Sequence, residues 1–194
     1  MLTYFPQIWC SDNTDPVSRL IIQYGTSFAY PVSTFGAHVS VSPNKRTKRT
    51  VSFKTRSVTA MHGTFGYELD PAKMSEEERK ECAGYSDFYR KHQELIMSGD
   101  YYRLSSPYDE SLFTAWQFVS KDGEECLVGV VTQDISIIDK NSYVHLRGLK
   151  DDVLYQIEET GQVFSGAALE NIGLLIPHME PQYNAFIFYL KKVH

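Results

Sequence analysis

The sequence predicts an α/β region followed by an antiparallel β-sandwich, and two observations carry that expectation. Up to residue 102, short apolar runs alternate with stretches of helical periodicity, which is the rhythm of βα units rather than of a hairpin meander. From residue 103 to residue 194, brief alternating runs are parted by turn residues. No internal repeat or low-complexity tract appears, so two unlike domains, 1–102 and 103–194, are expected, joined through a long helix.

The elements follow in order. Tyr4 to Trp9 is apolar and aromatic and reads as a strand, ending in the polar turn Ser11 to Asp15. Asp15 is a candidate N-cap with Pro16 in the first helical turn, and Val17, Leu20, Ile21 and Tyr24 follow at helical spacing before Gly25. Residues 35–41, FGAHVSV, read as a strand. A polar, basic loop then runs from Pro43 to Thr55, and a short helix through Val58, Met61 and His62 precedes a strand at residues 64–70, TFGYELD. Ser75 and Glu78 form a Ser-x-x-Glu capping box. It opens a helix whose face carries Tyr85, Phe88, Tyr89, His92, Leu95 and Ile96 until Gly99. In the second part, residues 116–120, 127–131, 143–149, 154–158 and 185–190 read as strands. Turn signals stand at Lys121-Asp122-Gly123, Asp139-Lys140-Asn141 and Glu159-Thr160-Gly161.

Composition narrows the class. The chain has 194 residues with 19 Lys+Arg against 24 Asp+Glu, a formal net charge of −5, and 42% hydrophobic residues. That is enough apolar material for a real core and too little charge for a disordered tail. It is also too short for an intact eight-stranded α/β barrel, which needs roughly 250 residues. Cys10, Cys82 and Cys126 lie far apart with no Cys-x-x-Cys spacing, which fits neither a disulfide framework nor a zinc site. The N-terminus lacks a basic and apolar signal pattern, no apolar run approaches the ~20 residues of a membrane helix, and no Asn-x-Ser/Thr sequon occurs. The expectation is a cytoplasmic protein with no membrane partner. No His or acidic pair shows metal-ligand spacing, so no metal and no cofactor are expected. The cluster Lys45, Arg46, Lys48, Arg49, Lys54 and Arg56 has few interleaved aromatics, and the net charge is acidic. It therefore reads as a solvated loop or subunit contact, with no nucleic-acid partner.

Chemistry concentrates in PQIWCSDNTD, residues 6–15, where two acids stand three apart in a turn that opens a helix. At the C-terminal end of a parallel strand, an Asp beside Trp9 is placed to have its pKa raised by apolar surroundings into the range of a general acid. The alternative is that Asp12 and Asp15 are simply turn and N-cap residues. Trp9 either borders a ligand or belongs to the core. Ser11 either orients Asp12 through its hydroxyl or serves the turn, with Asn13 and Thr14. His38, His62 and Glu68 read as structural residues, although His38 could face the same end of the sheet.

A series of motifs adds to this. PQIWCSDNTD, RLIIQYGTS, YPVSTFGAHVSVSPN, GTFGYELD and SEEE, in that order and spacing, resemble the C-terminal third of the family-36 α-galactosidases. SGAALENIGL, residues 165–174, is similar to a turn segment of that family's last domain. The resemblance covers essentially the whole chain and implies a fragment: the last βα units of a truncated (β/α)8 TIM barrel in 1–102, then an antiparallel β-sandwich in 103–194. It implies that Asp12, the first Asp of the SDxTD motif, is the general acid/base of a retaining glycosidase, with Trp9 and Ser11 toward the substrate. The family's nucleophile lies in an upstream Lys-Trp-Asp motif, and its galactose-holding Cys-Ser-Gly-Gly segment also lies upstream; neither occurs here. The chain alone is therefore expected to be inactive. Its implied partners are the α-galactoside once the barrel is complete, the missing N-terminal portion of the enzyme, or further copies of itself. The basic loop 43–55 departs from the family pattern. Two other functions suit the β-domain, carbohydrate binding through Trp116, Tyr143, Tyr155 and Tyr183, or a role in assembly.

Overall fold

The structure, a computed structural model, describes residues 3–108, 112–133, 141–177 and 183–193. The chain divides into two compact units, Met1–Met97 and Ser98–His194.

In the first unit, α1 (Pro16–Thr26), β1 (Gly36–Ser40), α2 (Phe53–Ala60), β2 (Thr64–Glu68) and α3 (Glu76–Ser98) follow one another. β1 and β2 pair in parallel, with His38 opposite Gly66. The expected strand from Tyr4 to Trp9 is reduced to one parallel bridge between Ile8 and Phe35. Ile8 N–H donates to Thr34 O at 2.7 Å, and Gly36 N–H donates to Ile8 O at 3.0 Å. Pro6 has no N–H to extend a ladder, and Tyr4 and Phe5 are exposed, so the pairing stops at a single rung.

Asp15 caps α1 by accepting Ser18 N–H, with Pro16 in the first turn as expected. The buried face of α1 differs from the apolar spacing. Ile21 is exposed, whereas Arg19, Leu20 and Gln23 are buried. Arg19 donates to Gly36 O at 2.6 Å and to Gln23 Oε1 at 3.0 Å, and Gln23 Nε2 donates to Thr59 O at 3.0 Å. Tertiary acceptors thus make polar side chains fit to bury. α2 begins at Phe53, earlier than the loop reading to Thr55 allows, because Ser52 accepts Thr55 N–H as its N-cap. At α3 the capping box forms as read. Glu78 N–H donates to Ser75 Oγ at 3.1 Å and Ser75 N–H to Glu78 Oε2 at 3.3 Å. Ala37, Val39, Phe53, Ala60 and Met74 form an apolar core here, with Phe65 and Tyr67 packed against it.

The second unit is mostly antiparallel sheet. β3 (Asp100–Arg103), β4 (Phe113–Val119), β5 (Glu125–Thr132), β6 (Asn141–Val144), β7 (Leu154–Ile157), β8 (Val163–Ser165), α4 (Gly166–Asn171), β9 (Leu174–Pro177) and β10 (Ala185–Lys192) succeed one another. Six strands form one sheet in the order β3-β4-β5-β10-β7-β8, and β6 pairs with β9 in a separate two-stranded sheet. One core draws Val128, Val130, Phe186 and Phe188 from the large sheet, Val144, Leu174 and Ile176 from the small one, and Leu169 from α4. Gly123, at φ 69°, makes the β4–β5 turn that Lys121-Asp122-Gly123 announces, and Gly161, at φ 70°, makes the β7–β8 turn. The signal at Asp139-Lys140-Asn141 falls largely outside the described residues.

The reading of 143–149 as one strand is too long. After Val144 the chain leaves the ladder, Leu146 N–H donates to Leu169 O, and Gly148 takes φ 67°. The aromatics suggested for carbohydrate binding also divide. Trp116 and Tyr155 are core residues, Tyr183 is half-buried, and Tyr143 is exposed.

Candidate functional site

The parallel arrangement brings the C-terminal ends of β1 and β2, at Ser40 and Glu68, to one side of the sheet, with the turn after Ile8 beside them. Ser40 Oγ ties that turn down by donating to Thr14 O at 3.1 Å. The turn is further built from its own side chains. Asn13 N–H donates to Ser11 Oγ at 3.1 Å and Asp15 N–H donates to Asn13 Oδ1 at 3.1 Å. Arg19 reaches back to Ser11 O at 3.4 Å.

Within this turn the two acids part company. Asp15 is fully buried, and its carboxylate accepts from Ser18 N–H and Ser18 Oγ, both at 2.9 Å, and from Thr47 Oγ1 at 3.1 Å, while Arg49 forms an ion pair with it. It is a structural anchor that ties α1 to the loop after β1. Asp12 is exposed, and Trp9 Nε1–H donates to its Oδ1 at 3.1 Å. Within this chain Trp9 is 54% exposed. Ser11 Oγ accepts within the turn, and the donor to Asp12 is the Trp9 indole.

His38 completes the arrangement. Its ring lies 4.5 Å from that of Trp9, centroid to centroid, at an interplanar angle of 32°. Burial pushes its pKa below the ordinary histidine value; Glu68 opposes this and the Arg19 charge adds to it. The Cys10 thiol is pushed up by burial, which disfavours a thiolate. Among the described residues, no group of three or more His, Cys, Asp or Glu is placed to hold a metal, and no helix is long and apolar enough to cross a membrane.

Two arginines of the basic cluster turn inward. Arg49 pairs with Asp15, and buried Arg56 donates to Ser40 O at 2.7 Å and to Glu78 Oε1 at 3.0 Å, with its guanidinium over the Phe53 ring. The loop leading into Arg49 is wound on buried Asn44, whose Oδ1 accepts Arg46 N–H and Thr47 N–H. A cavity of about 430 Å³ opens at the C-terminal ends of β1 and β2, lined by Thr14, Ser40, Asn44, Glu68 and Asp70 among others. Sequence reasoning missed the Trp9–His38 stack and the buried roles of Arg19, Asn44 and Arg56. Gly36, two residues before His38 on the same strand, was the one available hint.

Comparison with known proteins matches residues 1–99 to the melibiase family and residues 113–190 to the glycosyl hydrolase family 36 C-terminal domain. The chain belongs to the melibiases of glycosyl hydrolase family 36. Among its relatives in the family, the bifunctional α-galactosidase/sucrose kinase AgaSK of Mediterraneibacter gnavus is 50% identical over 97% of this chain and 20% of that protein. The α-galactosidase AgaA of Geobacillus stearothermophilus is 44% identical over 100% of this chain and 26% of that protein. The chain thus spans a fifth to a quarter of the length of these relatives. Among solved structures, the galactosidase domain of AgaSK superposes with a TM-score of 0.96 at 48% identity, covering 100% of this chain and 27% of that one. A variant of AgaA in complex with raffinose superposes at 0.95 and 43% identity, with the same coverage.

Proposed function

We propose that these residues are the C-terminal part of a retaining α-galactosidase, in which the first unit is the end of a (β/α)8 barrel and Asp12 is the general acid/base. The observation that carries this is the pairing of an exposed Asp12 with the Trp9 indole, on the side of the sheet where parallel strands end. One carboxylate oxygen, Oδ1, accepts the indole N–H, which leaves Oδ2 to carry a proton. In the first half-reaction that proton goes to the glycosidic oxygen as the anomeric carbon–oxygen bond breaks and a second carboxylate bonds to the anomeric carbon. In the second half-reaction, water attacks that carbon, Asp12 accepts its proton, and the second carboxylate leaves. The exposed face of Trp9 is placed to border the sugar, and Ser11 supports the same site through the turn.

The second carboxylate must lie about 5 to 5.5 Å from the first. The Lys-Trp-Asp sequence that carries it in the resembling enzymes is absent from residues 1–194, so these residues alone would not turn over substrate. The partner in this reading is the upstream barrel portion, and the substrates are α-galactosides of the raffinose and stachyose type that AgaA variants hold in solved structures. Three free cysteines accord with a cytoplasmic setting.

The test is a hybrid in which this chain replaces the matching quarter of the Geobacillus stearothermophilus enzyme. The hybrid should hydrolyse raffinose, and Asp12→Asn should abolish most of that rate while sparing much of the glycosylation rate on aryl galactosides with good leaving groups. Added azide should partly restore the mutant's deglycosylation. Unchanged raffinose hydrolysis by Asp12→Asn would remove Asp12 from the mechanism.

A further inference from the structure

We infer that His38 is a positioning residue for Asp12, acting through the Trp9 ring that it stacks on. The inference rests on the acid/base reading of Asp12, and the site itself is built for the stack. His38 stands in the middle of β1, directly opposite Gly66 of β2, with Gly36 two residues before it on the same side of the strand. A Cβ added at Gly66 would come within 2.9 Å of His38 Cδ2, and one added at Gly36 within 3.0 Å of His38 Cε1. Both glycines are therefore replaced in space by the imidazole, which lies in a slot that any side chain at either position would close. Confined there, the ring meets Trp9 at 4.5 Å and fixes the indole plane. The imidazole is the ring that Trp9 stacks on within this chain, and the plane of the indole sets where Nε1–H points. That direction is toward Asp12 Oδ1 at 3.1 Å.

The groups facing His38 are Glu68 from β2 and Arg19 from α1, the latter with Cys10 beside it. Desolvation and Arg19 favour the neutral ring over the opposing pull of Glu68, so the stack at neutral pH is one of two uncharged rings. On acidification an imidazolium forms against the indole face, and an imidazolium quenches indole emission.

Two measurements test this. In the chain of residues 1–194, the emission of Trp9 is obtained as the difference between wild type and Trp9→Phe, which leaves only the buried Trp116. This difference should fall about twofold as pH drops through a midpoint below the ordinary histidine value, and the titration should vanish in His38→Gln. A Trp9 signal that titrates identically in His38→Gln, or not at all in wild type, overturns the stack. In the hybrid enzyme, His38→Gln should lower kcat on raffinose by about tenfold while changing kcat on an activated aryl galactoside less than about twofold, because only the former needs protonation of its leaving group. Equal losses on both substrates would make His38 merely structural and overturn the inference, with the acid/base reading intact if Asp12→Asn shows the leaving-group split. If Asp12→Asn shows no split, the acid/base reading falls and the inference with it. Should the hybrid fail to fold, the fluorescence titration in the native chain decides.

Discussion

The indole nitrogen of Trp9 donates to Asp12 Oδ1 at 3.1 Å, three residues along a turn whose remaining polar groups are bonded to one another. One aromatic side chain thus links the most exposed acid of the turn to the sheet. If Trp9→Phe keeps the ring and removes the donor, a charge-assisted hydrogen bond is lost. At an exposed site this is worth about 1 to 2 kcal/mol. In the hybrid enzyme kcat on raffinose should fall about tenfold with little change in KM. A loss carried wholly by KM would assign Trp9 to substrate binding alone.

The two acids of the SDxTD segment should separate by stability. Asp15→Ala deletes the N-cap of α1 and leaves Arg49 and Thr47 without the carboxylate that holds their loop. A cost of about 3 kcal/mol is expected, visible as a lower urea midpoint. Asp12→Ala removes an exposed carboxylate together with its single indole hydrogen bond and should cost only about 1 kcal/mol. Comparable losses would contradict the division of labour between anchor and reagent.

This division explains how much of the site was readable beforehand. Asp15 and Pro16 announce a helix start by local rules, and Ser75 with Glu78 does the same for α3, because both caps are made within one turn of chain. The buried side of α1 is set by Gly36 O and Thr59 O, acceptors far away in sequence, so a helix face read from apolar spacing included the exposed Ile21 and did not include Arg19 and Gln23, which are buried. Asp12 could be picked out as a candidate from its motif, but its environment could not. Trp9 and His38 meet only because two parallel-aligned segments lie side by side, and the slot is made by glycines that no periodicity marks. In the second unit, α4, capped by Ser165, and β9 are both short and only two residues apart, so neither leaves a periodic run to read.

Glu78 carries a pH signature. Arg56 holds its carboxyl below the usual glutamate range by a direct hydrogen bond, with the Ser75 N–H and the Arg56 charge adding to this. A folded-state pKa below the unfolded value means that its stabilisation is present above the unfolded pKa and lost as pH falls through the folded one. Its partial exposure screens the effect, so the contribution is small. Wild type should lose stability on acidification from about pH 5 downward, and Glu78→Gln should flatten this slope. Hydrogen exchange at the first turn of α3 is the sensitive readout, since both carboxylate contacts converge there. An identical acid response in Glu78→Gln would place the titrating group elsewhere.

Gly129 of β5 sits directly opposite Trp116 of β4, and the indole lies across the space where a side chain at Gly129 would stand. A Cβ built there would be 2.4 Å from Trp116 Cε2, far inside van der Waals contact, and Trp116 is 2% exposed and has a rigid ring with no flexible end to yield. Gly129→Ala must therefore rotate the indole off its rotamer or spread the two strands. Either response costs about 2 to 3 kcal/mol, more than the modest gain that alanine brings to a strand through reduced backbone entropy. The expected result is a lower thermal midpoint of the β-domain with a red-shifted Trp116 emission as the ring meets water. Trp116→Leu should relieve the clash, so that the double variant loses less than the sum of the two single ones. Additive losses would show that the glycine is required by the backbone and not by the indole.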